Sequence, residues 1–327
     1  MNRHRFLRRL TCLAVSALAL ASGTAFAQEW PVAKPVRLIV PFATGGSADV
    51  FGRIVAQRLQ EALGQSFVVE NRPGAGSIIG TDAAAKSAPD GYTLLVMSNT
   101  HTVNESLIPN KPFQLMRDFV GVAPINASDL VLVARSGLPS AQVADVLRAA
   151  RAKPDGMTYA SSGPGTPYHM AGELLKAMAG VKIVHVPYKG SAQAHTDLIG
   201  GQVDVNFDTI TALMPHIRAG RLRPLATSSL NRTPFAPDVP TVAEQGVPGF
   251  EGGAWLGFVA AAATPRPIVE RLNRELNQIL EEPDTRRRMS DAGSEILKTT
   301  PEEFAAFIRT EHAKWARVVR ESGTKLD

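Results

Sequence analysis

Four turns rich in glycine and hydroxyl side chains are the segments of this sequence best suited to chemistry: residues 44–47, 74–77, 161–166 and 189–191. Each follows an apolar run typical of a strand and precedes the i, i+3/i+4 apolar spacing of a helix. The first N–H groups of a helix are unpaired and carry the positive end of its dipole, and glycine lets a ligand approach the backbone. The pattern predicts binding of a small anion, such as a carboxylate; for any one turn, an ordinary strand-to-helix connection is the alternative.

Three titratable side chains lie beside these turns, and each has two interpretations. His169 is in the first turn of the helix predicted to begin at Thr166, where it either contacts a ligand or packs behind the site. Asp49 either complements the dipole of its own helix or faces the ligand. Asp208 ends a predicted strand, where it either accepts a hydrogen bond from a ligand or the opposite lobe, or caps the helix near Thr211.

Larger and nucleophilic side chains in the same turns extend the site. Phe42 and Tyr188 could wall a pocket, and Lys189 could add charge to an anion site or point into solvent. Ser161 or Ser162 could form a catalytic triad with a distant histidine and aspartate, although any serine-rich sequence permits that arrangement. The sequence therefore predicts binding, with no catalytic residue, and keeps a hydrolase as an alternative.

Motifs for nucleotides, cofactors and metals do not occur. Residues 74–80 read G-x-G-x-x-x-G, one residue longer than the dinucleotide fingerprint, and G-x-x-x-x-G-K-[ST], G-x-S-x-G and H-E-x-x-H are absent from the sequence. After residue 27, no two histidines stand three or four positions apart. We therefore expect no cofactor and no metal site.

The N-terminus has the form of a secretory signal peptide. Four arginines and no acid occupy residues 1–9, an apolar run of about twelve residues follows, and residues 25–27 read Ala-Phe-Ala. A membrane anchor is the alternative, but this run is too short to span about 30 Å of hydrocarbon. Cleavage after Ala27 would lower the formal net charge from +5 to +1 (5 − 4) and remove Cys12, the one cysteine. The remaining chain would have no disulfide and no basic excess suited to nucleic acid.

Length and element order predict two α/β modules. The 327 residues, 44% of them apolar, suit about two domains. Strands and helices alternate from residue 36 to 97 and again from residue 130, which implies βαβ units and mostly parallel sheets. A Pro- and Gly-rich stretch at 232–251 precedes a strand and two final helices. We expect a signal peptide at 1–27, a discontinuous first lobe at 28–128 and 252–327, and a second lobe at 129–251.

Several segments together resemble Bug-type periplasmic solute-binding proteins, the substrate receptors of tripartite tricarboxylate transporters. They are Val-Pro-Phe-Ala-Thr-Gly-Gly-Ser-Ala-Asp at 40–49, and residues 69–76, 89–95, 186–192, 197–203 and 237–246. The resemblance implies an α/β, two-lobed periplasmic-binding-protein-like (type II) fold with a hinged cleft. It also implies a periplasmic, monomeric receptor that delivers a small carboxylated solute to membrane permease subunits. A secreted serine hydrolase acting on a carboxylate ester and a sensory receptor for a signalling partner are the alternatives.

The resemblance also implies which residues grip the carboxylate. In the first lobe these are Phe42, Thr44, Gly45, Gly46, Ser47 and Asp49; in the second they are Ser161, Ser162, Gly163, Thr166, Lys189, Gly190, Ser191 and Asp208. The turns themselves add Gly76, His169 and Tyr188 to the predicted ligand-binding set.

Overall fold

The computed structural model describes residues 30–322. The predicted signal peptide and Cys12 lie outside this range. Within it, two sheets, each covered by helices, form two lobes with a cleft between them.

The first sheet has the strand order β2-β1-β3-β9-β4. Its parallel part pairs β1 (Val36–Val40) with β2 (Phe67–Asn71) and β3 (Thr93–Ser98). Strand β9 (Gly253–Ala261) runs antiparallel to β3 and to β4 (Phe119–Arg135). The carboxyl ends of β1, β2 and β3 therefore share one edge.

The second sheet has the order β4-β7-β5-β6, with β8 also paired to β4. Strand β5 (Thr158–Ser161) is parallel to β6 (Val184–Pro187) and β7 (Val205–Thr209), and β8 spans Leu222–Thr227. Both β7 and β8 are antiparallel to β4.

Strand β4 belongs to both sheets. Residues Phe119 to Asp129 pair with β9, whereas Leu130 to Arg135 pair with β7 and β8. The short β10 (Glu295–Ile296) also pairs with the first half of β4. One continuous strand therefore carries the chain from the first lobe into the second.

Helices connect the strands and cover both faces of the sheets. In chain order they are α1 (Ser47–Leu63), α2 (Ile78–Ala85), α3 (Asn99–Leu107), α4 (Leu115–Asp118), α5 (Val143–Ala152), α6 (Pro167–Ala179), α7 (Ser191–Ile199), α8 (Ile210–Arg218), α9 (Arg266–Glu281), α10 (Pro283–Asp291) and α11 (Pro301–Ser322). None of the helices in residues 30–322 is long and apolar enough to cross a membrane.

Each lobe has its own apolar core. In the first, α1 and α9 pack on the sheet, and Leu38, Phe51, Leu94, Phe258 and Leu276 are fully buried. In the second, Leu130, Leu132, Val146, Phe207 and Phe250 are at most 1% exposed.

The βαβ units and the two-lobed fold are confirmed, but the sheets are mixed and not mostly parallel. The chain crosses between lobes through β4 and returns through β9, and both strands run antiparallel to their neighbours. The last helix begins with a capping box: Thr300 Oγ1 accepts the Glu303 N–H, and Glu303 Oε2 accepts the Thr300 N–H. Phe304, Ile308 and Trp315 form a buried apolar stripe along that helix.

One glycine on β9 allows α11 to pack closely on the first sheet. A Cβ at Gly257 would lie 2.3 Å from Phe304 Cζ and 2.9 Å from the Ala123 carbonyl oxygen. We expect Gly257→Ala to lower the free energy of unfolding by about 1–3 kcal/mol, because overpacking forces side chains and backbone to shift. Urea denaturation measures this value.

Gly253→Ala, on the same strand, is the matched control. Its Cβ would meet the Ser128 carbonyl oxygen at 3.7 Å, an ordinary contact. Equal destabilisation by both substitutions would contradict close packing at Gly257 as the cause.

Candidate functional site

A cavity of about 50 Å³, here called the first cavity, lies between the lobes where four helices begin. The N-terminal residues of α1, α3, α6 and α7 all contribute to its wall. A buried water needs about 10–15 Å³, so the cavity suits a group the size of a carboxylate with little else. Its lining comprises Phe42, Ala43, Gly46, Ser47, Ala48, Ser98, Thr100, Ser162, Thr166, Pro167, Tyr168, Lys189, Gly190, Ser191, Ala254, Trp255 and Leu256.

Two of these helices begin at a glycine. Gly46 is the N-cap of α1 and Gly190 is the N-cap of α7, and within the described chain neither helix has a side-chain cap hydrogen bond. The first N–H groups of a helix need an acceptor. A bound anion would therefore meet backbone donors from both lobes.

The other two helices begin at hydroxyl residues. Thr166 Oγ1 accepts the His169 N–H of α6, and Ser98 caps α3 in a capping box with His101. Thr100, in the first turn of α3, is fully buried, and its Oγ1 has no hydrogen-bond partner among the described residues. A buried hydroxyl left unpaired is costly, and Thr100 lines the first cavity, where a ligand could pair it.

The lobes touch beside this cavity. Ser47 Oγ lies 3.3 Å from Tyr168 Oη, across the cleft. A Cβ on Gly190 would lie 2.6 Å from the Ala43 Cβ, and one on Gly165 would lie 2.5 Å from Asn104 Oδ1. Glycine at both positions allows the two backbones to approach this closely.

The phenol of Tyr168 is buried at this contact. Its burial raises the pKa of Tyr168 well above the ordinary value, and the nearby Asp208 carboxylate raises it further. Asp208 itself accepts from the Thr209 N–H at 2.8 Å and lies 3.0 Å from His195 Nε2. Asp208 therefore lies behind Tyr168 and is not part of the cavity lining.

Trp255 forms part of the cavity wall and is held by two polar neighbours. Its indole Nε1–H donates to Glu311 Oε2 at 2.8 Å, and its backbone N–H donates to Asn99 Oδ1 at 2.9 Å. The same Glu311 oxygen accepts from Trp315 Nε1 at 3.0 Å and from Asn99 Nδ2 at 3.3 Å. Helix α11 thereby fixes the position of a tryptophan in the site.

Asp49 stabilises the loop after β1. Its carboxylate accepts from the Gly45 N–H, Arg53 Nε and Asn71 Nδ2 at 2.9–3.0 Å. Burial acts to raise the pKa of Asp49, but the three donors outweigh it and the net pKa is lowered. Thr44 and Gly45 are exposed at the outer side of this loop, so the loop is positioned by Asp49 while Gly46 and Ser47 reach the cavity.

Ser161 forms a hydrogen bond with a histidine but is closed to solvent. Its Oγ lies 2.7 Å from His185 Nε2, and the residue has no exposed surface. Burial lowers the pKa of His185 to about 3 and that of His169 to about 4. The two imidazoles stack with ring centroids 4.2 Å apart, and His169 Nδ1 accepts the Gly165 N–H. These histidines are neutral and pack behind the 161–166 loop.

A second cavity, of about 480 Å³, adjoins the first. The two share Phe42, Ser162, Thr166 and Lys189 in their walls. The second cavity is also lined by Pro41, Pro73, Gly74, Ala75, Gly76, Ser77, Ile78, Ile108, Asn110, Lys111, Pro112, Gly163, Pro164 and Tyr188.

The predicted ligand residues thus fall into three groups. Phe42, Gly46, Ser47, Ser162, Thr166, Lys189, Gly190 and Ser191 line the first cavity. Gly76, Gly163 and Tyr188 line the second. Thr44, Gly45, Asp49, Ser161, His169 and Asp208 line neither of these two cavities.

Sequence reasoning missed Ser98, Thr100 and Trp255. The polar run Ser-Asn-Thr-His-Thr at 98–102 is a usable signal for the first two, because it begins at the carboxyl end of a strand, β3. No such signal marks Trp255, because it lies on β9, a strand distant in sequence from the other residues of the site. Among the described residues, no group of three or more metal-ligating side chains could hold a metal ion.

Comparison with known proteins gives a consistent family. The model of the "Tripartite tricarboxylate transporter family receptor" matches residues 51–324. Protein BugT of Bordetella pertussis is 40% identical over 90% of this chain and 91% of its own length. A protein encoded in the tcbD-tcbE intergenic region of Pseudomonas sp. (strain P51) is 39% identical over 96% of this chain and 94% of its own length.

Solved structures agree with the sequence matches. The Rpa4515 protein of R. palustris, solved with adipate, is 35% identical with a TM-score of 0.87 and covers 90% of this chain and 99% of its own. MatC of Rhodopseudomonas palustris, solved with malate, is 32% identical with a TM-score of 0.84, covering 89% and 100%. The periplasmic binding protein BugD is 33% identical with a TM-score of 0.85, covering 90% and 99%.

The match over most of the chain, the shared two-lobed fold and the Bug-named relatives confirm the resemblance seen in the sequence motifs. The chain belongs to the Bug-type solute receptors of the tripartite tricarboxylate transporter family.

Proposed function

We propose that this chain binds the carboxylate of a small solute in the first cavity and presents that solute to the permease subunits of a tripartite tricarboxylate transporter. The observation that carries the proposal is the convergence of four helix N-termini on one inter-lobe cavity, two of them with glycine N-caps and no side-chain cap among the described residues. Backbone N–H groups and helix dipoles favour an anion there.

Hydroxyl groups add to the backbone donors. Ser47, Ser162 and Ser191 line the cavity, and the buried Thr100 Oγ1 still lacks a partner in residues 30–322. Thr166 also lines it, but its hydroxyl already donates to the Gly163 carbonyl oxygen at 2.7 Å. Burying a charge requires that it be paired and hydrogen-bonded. A carboxylate supplies acceptor oxygens for several of these donors at once, which supports an acid as the solute.

Relatives with known ligands support the same solute class. Rpa4515 was solved with adipate and MatC with malate, and each covers about nine-tenths of this chain. Both ligands carry two carboxylates. The match in fold and sequence supports, for this chain, a solute that carries a carboxylate.

The closing motion is proposed from the strand pairing. Strand β4 exchanges its partners between Asp129 and Leu130, and β9 brings the chain back into the first sheet from Gly253. These two crossings support lobe boundaries at 28–128 with 252–327 and at 129–251, with a hinge in between. A solute that contacts both lobes would favour the closed arrangement by its differential affinity.

Export and assembly also stand as proposals. The basic and apolar N-terminal 27 residues support secretion to the periplasm, where receptors of this family present their solutes. The protein is proposed to act there as a monomer. Transport, and not signalling to a sensory partner, is proposed because the relatives are transporter receptors.

A serine hydrolase is the second candidate, and one contact favours it: Ser161 Oγ lies 2.7 Å from His185 Nε2. Its serine is completely buried, and the lowered pKa of His185, about 3, makes the imidazole a weak base. We therefore propose that the chain is a receptor and not an enzyme.

A carboxylate ligand should raise the melting temperature. The ligand binds only the folded chain, so a free ligand concentration of about a hundred times Kd adds roughly 2.7 kcal/mol to the free energy of unfolding. Differential scanning fluorimetry with mono-, di- and tricarboxylates, amino acids and aromatic acids checks this. The absence of any shift across that panel would contradict carboxylate binding.

Gly46→Val should weaken binding far more than folding. Gly46 has φ −80°, and a Cβ there would meet nothing closer than the Ala43 carbonyl oxygen at 3.8 Å. Valine is a poorer N-cap, which costs about 1 kcal/mol, whereas its side chain would enter the cavity and hinder access to the α1 N-terminus. We expect a loss of at least about tenfold in affinity, roughly 1.4 kcal/mol, by isothermal titration calorimetry.

Gly137→Val, on an exposed turn of the second lobe, is the control for this substitution. It should leave affinity unchanged. A Gly46→Val protein that loses stability and affinity to the same degree would point to a structural glycine instead.

Carboxylate esters should not be hydrolysed by the purified protein. Release of alcohol from a panel of esters, followed by gas chromatography, gives the rate. Turnover that disappears in Ser161→Ala or Ser162→Ala would overturn the receptor proposal in favour of the hydrolase.

A further inference from the structure

The second cavity continues the binding site away from the helix N-termini. It shares four wall residues with the first cavity, and its volume of about 480 Å³ is within the range of small-molecule pockets, about 300–1,000 Å³. The first cavity, at about 50 Å³, has room for little more than one carboxylate. The rest of a solute held there by its carboxylate would have to extend into the second cavity.

The walls of the second cavity are largely apolar. Prolines, an alanine and two isoleucines are among its lining residues: Pro73, Ala75, Ile78, Ile108, Pro112 and Pro164. Neither isoleucine is fully buried. Such a surface gains free energy from covering methylene or aromatic groups, and it offers few partners to the hydroxyl and carboxyl groups of a compact hydroxy-acid.

One polar atom in this wall lacks a partner. Ser77 is 3% exposed, and its Oγ has no hydrogen bond within the described range. It stands at φ +78°, after Gly74, Ala75 and Gly76, whose φ angles are also positive. Non-glycine residues rarely adopt this conformation, so a strained turn holds an unpaired hydroxyl in the cavity wall.

Two lysines line this cavity, and one of them carries a charge that no acidic side chain of the described residues compensates. The ammonium of Lys111 is 3.1 Å from Glu105, which compensates its charge. Lys189 is exposed, lines both cavities, and makes no ion pair with any residue between 30 and 322. An uncompensated cation beside an apolar wall favours a second anionic group on the solute.

We propose that the solute is an elongated acid with two polar ends and an apolar body. One carboxylate occupies the first cavity, the aliphatic or aromatic body lies along the Ile78 and Ile108 wall, and the second carboxylate pairs with Ser77 Oγ and Lys189. This assignment rests on the proposed function, because it takes the first cavity as the site of the first carboxylate.

A length series of linear diacids tests the apolar wall. Isothermal titration calorimetry with succinate, adipate, suberate and sebacate should show affinity rising about fourfold for each added methylene, up to the length at which the second carboxylate reaches Ser77 Oγ and Lys189, with no further rise beyond that length. An affinity that does not depend on chain length, with short acids bound, would overturn the second-cavity assignment and leave the proposed function standing. No binding by any acid would instead contradict the proposed function itself.

Ser77→Ala tests the far end of the solute. Adipate should lose roughly tenfold to a hundredfold in affinity, the value of a hydrogen bond to a charged group. Hexanoate, of the same length but without the second carboxylate, should bind wild type and variant equally. An equal loss for both acids, or none for adipate, would overturn the pairing at Ser77.

Ile78→Trp tests the volume of the cavity. The larger ring should fill the space, so that sebacate loses at least about tenfold in affinity, roughly 1.4 kcal/mol, while succinate stays within about twofold. Ile79→Trp is the matched control, because Ile79 is 55% exposed and outside both cavities. Unchanged sebacate binding by a folded Ile78→Trp protein would contradict the proposal. If this variant does not fold, the diacid length series measured with the wild-type protein is the test.

Discussion

The unpaired N–H groups at the start of a helix are the constraint on which this site depends. Each strand-to-helix unit of the two lobes leaves such groups at the carboxyl edge of its sheet. The two edges face one another across the cleft, so that α1 and α3 of the first lobe meet α6 and α7 of the second. The site therefore follows from the topology, because no single helix could surround an anion.

This arrangement explains how the chain can hold an acid through its backbone. The positive ends of dipoles and the hydroxyl groups provide favourable interactions without a cluster of buried cations, whose desolvation would be costly. Glycine has two separate functions here. At the N-caps of α1 and α7, Gly46 and Gly190 leave the backbone open to a ligand, while Gly165 lets the lobes approach at Asn104.

Much of the fold could be predicted from local pattern, but the parts that depend on distant contacts could not. The Thr-Pro-Glu-Glu sequence at 300–303 is a local signal for a helix start, and the structure has a capping box there. A glycine after an apolar helical pattern is a local signal for a helix end, and Gly64 is the C-cap of α1. The first half of β4, Phe119 to Asp129, contains glycine, proline, asparagine and serine and has little strand propensity. It forms a strand because β9 pairs with it, which no local window reveals.

The same distinction holds within the site. Gly46, Ser47 and Gly190 were predicted because a glycine or serine between a strand and a helix has a local meaning. The sequence does not decide the place of Asp49, because a carboxylate in the first turn of a helix can face either a ligand or its own loop. In the structure, Asp49 accepts hydrogen bonds from Gly45, Arg53 and Asn71. Trp255 depends on long-range contact with α11, so its presence in the wall needed the tertiary structure.

The carboxylate of Glu311 has one more consequence. It accepts hydrogen bonds from the indoles of Trp255 and Trp315, two of the three tryptophans in the chain, and Trp255 also forms part of the first cavity wall. Indole emission is sensitive to nearby charge and polarity. An indole therefore stands in the wall where a solute would lie, and it shares one carboxylate oxygen with a second indole in α11, so that its emission could serve to follow binding.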